Sequence, residues 1–136
     1  MPFKFEKLEI RQSAMEYLDL IYELTHQLPV EEKYNLKSQM IRAATSNALN
    51  ISEGSTGQTN KEQARFLGYA IRSLMETVTC QHILKHRGFP HNTYTLSQAY
   101  KHAEILAAKL HTMRKTIASQ QSWLREDIMH YGLSLE

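Results

Sequence analysis

Apolar residues recur along this chain at spacings of three and four over four long stretches, the pattern of amphipathic helices. In the first stretch Ala14, Leu18, Ile21, Leu24 and Leu28 make one stripe and predict a helix over about residues 8–28, stopped by Pro29. A second helix is expected over about 31–53, with Glu31 and Glu32 at its positive end. Its inner face is Leu36, Met40, Ala43, Ala44, Asn47, Ala48 and Ile51, small enough for a neighbour to approach closely, and Gly54 is placed for a left-handed cap. Thr59 and Glu62 have capping-box spacing and open a third helix over about 60–87, with a stripe of Leu67, Ala70, Ile71, Leu74, Val78 and Ile83. Phe66, Tyr69 and Met75 widen that stripe, Gly68 interrupts it, and Gly88 and Pro90 end it. The fourth helix is expected over about 95–120, facing inward with Ala99, Ala103, Leu106, Ala107, Leu110, Met113 and Ile117.

No stretch shows the alternation of a strand. Four helices with short connections predict an all-α, antiparallel, up-down-up-down four-helix bundle occupying residues 1–120. Residues 121–136 contain Trp123, Leu124, Ile128, Met129, Tyr131, Leu133 and Leu135, too apolar for a free linker. They are expected to pack on the bundle, extend its last helix or lie against a neighbouring subunit. The apolar surplus on the third helix and in this tail predicts a homo-oligomer.

Composition narrows the classes without naming a function. The chain has 136 residues, enough for one core, and its 42% apolar and 22% charged content argues against disorder. No apolar run approaches the roughly 20 residues of a membrane span, and no secretory signal is visible. The single cysteine, Cys80, cannot form an internal disulfide, which suits a cytoplasmic location.

Charge is unevenly distributed beneath a net +2. Residues 1–32 set Lys4, Lys7 and Arg11 against seven acids, a balance of −4, whereas residues 33–125 set thirteen Lys/Arg against Glu53, Glu62, Glu76 and Glu104, a balance of +9. Such a field favours anionic partners, RNA or DNA among them. The candidate contacts are Lys85, Arg87, Lys101, Lys109, Arg114 and Lys115, with Tyr94 and Tyr100 available for unpaired bases. The same residues are ordinary on a solvated helix face, and a protein-binding adaptor with no nucleic-acid contact is the alternative.

Among the inner polar residues, Arg42, Asn50, Glu53 and Glu76 are read as structural. Glu53 lies at the unfavourable end of a helix dipole and calls for a cation, with Lys61 and Arg65 as candidates. Antiparallel registry predicts an Arg42–Glu76 ion pair between helices two and three. Metal binding and catalysis find no support. His82 and His86 share a face but Cys80 does not join them, and CxxC, HExxH, a Gly-x-Ser-x-Gly elbow and a phosphate loop are all missing. No cofactor is expected, and the chain reads as non-enzymatic.

The segment from Glu31 to Thr79 resembles the four-helix-bundle family of 23S ribosomal RNA intervening-sequence proteins. The match runs through Leu36, Gln39, Arg42, Ala43, Ala44, Asn50, Ile51, Glu53, Gly54, Phe66, Leu67, Ala70, Ser73, Leu74 and Glu76. The opening from Phe3 to Ile10 is similar too. Ser52, Arg72 and the uncharged run from Ser55 to Asn60 depart from the family pattern. The resemblance implies a non-catalytic bundle forming a homo-oligomeric ring, a pentamer. It also implies a relationship to the accessory variability determinant of diversity-generating retroelements, a basic bundle that partners a reverse transcriptase and RNA. The family name records where the genes lie and is no evidence of ribosome binding.

Overall fold

The computed structural model describes the backbone of residues 2–56, 59–90 and 92–130, and the side chains of 6–56, 59–90 and 92–120. Its elements are α1 (Pro2–His26), a 3-10 turn (Val30–Glu32), α2 (Leu36–Ser55), α3 (Asn60–Arg87) and α4 (Tyr94–His130). Each helix packs on the next, and α1 closes the square against α4. Direction follows from the cross-links. Glu9 meets Lys109 and Gln27 meets Thr95, so α1 and α4 are antiparallel. Gln39 meets Glu76 and Asn47 meets Ala70, so α2 and α3 are antiparallel as well. None of the described helices is long and apolar enough to cross a membrane.

The helix boundaries show local chemistry at work. α1 begins earlier than its apolar stripe, with Pro2 in the first turn, where a missing N–H costs nothing. Glu31 and Glu32 lie in the 3-10 turn rather than in α2. Glu32 still serves that helix, because its carboxylate accepts from the Asn35 side chain at 2.9 Å and from the Leu36 amide at 3.4 Å. α3 begins as predicted, with Thr59 Oγ1 accepting from the Glu62 amide at 3.0 Å, and ends at Gly88, whose φ of 76° makes the left-handed cap. α4 runs on to His130, so its backbone passes through much of the segment set apart as a tail. The side chains from 121 onward, Trp123 included, lie outside the described residues, so their proposed packing does too.

Gly54 is not a cap. It lies inside α2 and is buried, and a Cβ there would stand 3.3 Å from Phe66 Cβ. The requirement is close approach of α2 and α3. Gly68 differs, because the atoms nearest an added Cβ would belong to the Arg114 side chain, at 3.2–3.4 Å. Gly54→Ala is therefore expected to lose about 1 kcal/mol through overpacking between helices. Gly68→Ala should be neutral or gain up to about 0.5 kcal/mol, since a flexible side chain can yield while helix propensity improves. Urea midpoints measure both, and equal losses would contradict the distinction.

The core runs the length of the square, from Ile10, Ile51, Leu67 and Ile117 to Leu24, Leu36, Leu84 and Leu96. The expected inner faces of α2 and α4 are buried or nearly so. On α3 the buried line is Leu67, Ala70, Leu74, Thr77, Gln81 and Leu84, with Cys80 beside it, while Ile83 is 41% exposed. Two polar residues thus hold core positions, and Tyr17 of α1 explains them. Thr77 Oγ1 donates to the Leu74 carbonyl at 2.6 Å, so it accepts the Tyr17 hydroxyl proton at 2.6 Å. Tyr17 in turn receives the Gln81 amide at 2.7 Å. This chain of donors ties α1 diagonally to α3, and burial, only partly offset by those bonds, pushes the Tyr17 pKa up to about 12.

Candidate nucleic-acid interface

Arg65 and Arg72 are seven residues apart on α3, two turns or about 10 Å along the axis, and both are exposed. Arg114 of α4 reaches across to them. Its Nε donates to the Ala64 carbonyl at 3.1 Å, and its guanidinium lies against Gly68, where a β-carbon would crowd it. Gly68 thus gives a cation its seat. His111 and Tyr69 join these residues in lining one depression of the α3–α4 face, and no carboxylate is part of that lining. Tyr69 stands edge-on to Phe66 with ring centres 6.1 Å apart, and the Arg65 guanidinium lies 5.3 Å from the Phe66 ring centre. Three guanidiniums and exposed aromatic surface in one groove can hold phosphates and stack bases.

The residues selected from sequence divide across the molecule. Arg114 is in the groove. Lys85 and Arg87 are exposed in the last turn of α3, with the Arg87 guanidinium 5.8 Å from the Phe89 ring centre. Lys101 and Lys115 are exposed on α4, four turns or about 21 Å apart. Lys109 turns towards α1 and pairs with Glu9 at 2.6 Å, the one ion pair among the described residues. With side chains 37% and 63% exposed, that pair adds little stability. Arg65 and Arg72 were missed as contacts. Their heptad spacing was the available signal, but only the packing of α4 brings Arg114 between them.

The expected Arg42–Glu76 ion pair is not formed. Glu76 Oε1 accepts from Gln39 Nε2 at 2.7 Å, and Arg42 reaches Ser38 within its own helix at 3.4 Å. The carboxylate is met by the neutral amide of Gln39, about one helical turn before Arg42, and the Arg42 side chain stays exposed on its own helix. Among the described residues Glu53 makes no ion pair with Lys61 or Arg65. Asn50 bonds back to the Ser46 carbonyl at 2.9 Å, and Ser46 meets Ser73 across the α2–α3 seam at 2.9 Å. Cys80 is buried, and burial, then the nearby Glu76 charge, raises its pKa, which keeps it a packing thiol. Among the described residues no three His, Cys, Asp or Glu gather as metal ligands.

The fold and this face define a four-helix bundle with a basic groove on one side. The chain belongs to the 23S rRNA-intervening sequence protein family, whose model matches residues 6–112. Among solved structures it is similar to a protein of unknown function from the S23 ribosomal protein family of Bacteroides thetaiotaomicron. That likeness has 19% identity and a TM-score of 0.73, covers 81% of this chain and 98% of the other, and concerns the fold alone. No curated protein matches the chain.

Proposed function

We propose that this protein is a non-catalytic, homo-oligomeric cytoplasmic scaffold that holds RNA against its α3–α4 face. The observation that carries the reading is the depression formed by Arg65, Arg72 and Arg114 with His111 and Tyr69, free of acidic lining. Phosphate neutralisation by such a set supplies affinity without sequence readout. Assembly is supported by Leu8, Met15 and Tyr22, which are 51%, 55% and 44% exposed and recur every seven residues along the outside of α1. A line of that spacing suits a helical seam with another subunit. A ring, with five copies as the family resemblance implies, would repeat the groove and raise avidity. RNA held this way would be presented to a nucleic-acid enzyme such as a reverse transcriptase.

The same apolar line favours the second reading, an adaptor that binds only protein. Titration of the full chain with a structured RNA at several salt concentrations separates the two. Submicromolar binding that weakens steeply with salt is expected, and no binding even at low salt would leave the adaptor. Light scattering tests assembly, which a single species near 15.8 kDa would reject.

A further inference from the structure

Gly68 lies inside α3, where glycine is the poorest helix former after proline, so the helix itself gains nothing from it. Its place on the α3 surface matters more. It stands three residues after Arg65 and four before Arg72, on the stripe that both arginines share, about 4.5 and 6 Å from them along the axis. No side chain fills the gap between the two cations, and Arg114 of α4 occupies it.

Arg114 is held there in a fixed plane. A Cβ at position 68 would stand 3.2 Å from its Nε, 3.3 Å from its Nη2 and 3.4 Å from its Cζ. Three atoms of one plane at nearly one distance place the guanidinium flat on the glycine. The Ala64 carbonyl, one turn earlier on α3, accepts the Nε–H at 3.1 Å and sets the rotation within that plane. The Nη groups make no hydrogen bond among the described residues. Arg65, Arg114 and Arg72 thus form a row of like charges. The depression around them is lined by no carboxylate, and Glu76, one turn beyond Arg72, accepts from Gln39 on the α2 side instead. Like charges repel, and an anion seated among them removes that cost.

We infer that Gly68 is a positioning residue, which makes Arg114 the preset centre of a three-guanidinium seat for phosphate. The inference rests on the reading of this groove as an RNA surface, and it replaces diffuse attraction by one fixed contact. Arg114 offers its Nη groups to the oxygens of one phosphate, and Arg65 and Arg72 reach that group or its neighbours along the strand. A guanidinium already held in place loses less freedom on binding than one on a mobile side chain. Alanine at position 68 would lift the guanidinium off α3 and strain its bond to Ala64, with every charge still present.

The test titrates the full chain with a structured RNA and compares Gly68→Ala, Arg114→Gln and the double variant. The urea midpoint of Gly68→Ala should hold or rise, so a loss of binding cannot come from unfolding. RNA affinity of Gly68→Ala is expected to fall about fivefold, the weight of one phosphate contact. In the Arg114→Gln background the same substitution should change affinity by less than twofold, because the glycine acts only through that arginine. Unchanged affinity in Gly68→Ala, or a fivefold loss that persists without Arg114, overturns the inference. A second arm uses inorganic pyrophosphate and follows the Arg114 Nε–H signal by NMR. A saturable shift is expected, at least fivefold weaker in Gly68→Ala. A shift that is absent, or equal in both proteins, overturns the seat. If no RNA binds at all, the proposed function fails and the pyrophosphate arm alone decides: a saturable shift weakened by Gly68→Ala keeps the groove as a phosphate site, and any other result removes it.

Discussion

Replacing Arg65, Arg72 and Arg114 together by glutamine is expected to weaken RNA binding about a hundredfold while the protein stays folded. Each guanidinium offers a charge-assisted contact to phosphate, and about 1 kcal/mol per contact survives solvent screening. Three such contacts amount to about 3 kcal/mol, or roughly two powers of ten. The slope of log affinity against log salt should fall by about 2 to 3, because fewer counterions are released. Stability should change little, since all three side chains are exposed and the losses are the Arg114 bond to Ala64 and the Arg65 contact with the Phe66 ring. Lys109→Gln is the matched control: its ammonium is on Glu9 at the α1 side, so affinity should move by less than threefold. Filter binding at several salt concentrations measures all of this. A triple variant that binds like the original protein would remove the groove from the interface.

Tyr17→Phe is expected to cost about 2 kcal/mol of stability although it deletes a single oxygen. Tyr17 is fully buried, and its hydroxyl both donates to Thr77 and accepts from Gln81. Removing it leaves the Gln81 amide nitrogen without a partner next to an oxygen that already lacks one. Gln81→Met in the same background should recover part of the loss, because both orphaned groups then disappear together. Strict additivity of the two substitutions in urea unfolding would show that the residues are not coupled.

The same residue gives the stability a direction in pH. In the unfolded chain a tyrosine ionises near 10, whereas Tyr17 in the folded protein holds its proton to about 12. Between those values the unfolded state releases its proton first, so stability is intact below pH 10 and falls as pH rises, by about 1.4 kcal/mol per unit. The advantage of the original protein over Tyr17→Phe should therefore narrow above pH 10. A gap that stays constant to pH 12 would mean that the hydroxyl is not buried as described.

Much of the fold was legible because it rests on local rules. The stripes of α2 and α4, the threonine at the start of α3 and the glycine at its end depend on neighbours within a few residues, and each was found where expected. The misplaced boundaries have equally local causes. A carboxylate can cap a helix from outside it, as Glu32 does, and a proline is harmless in a first turn. On α3 the hydrophobic reading went to Ile83 because isoleucine outranks glutamine on any apolar scale, yet Gln81 is inside. Its burial depends on Tyr17, more than sixty residues away in the chain, and pattern along one helix carries no information about that hydroxyl.

The candidate interface was legible only in outline. Charge counting found a basic half and named Arg114, but it gave equal weight to Lys109, which packing turns to the opposite side, and it passed over Arg65 and Arg72 as contacts. By itself the sequence determined that four amphipathic helices would form, that they would bury one continuous apolar core, and that the later helices would be positive, since periodicity and charge are properties of the chain. Tertiary structure alone decided which cations share a groove, which glycine seats a guanidinium and which glutamine is left with an unmet oxygen. Those outcomes depend on rotation and registry between helices, where a turn of one residue, about 100° around the axis, changes every partner.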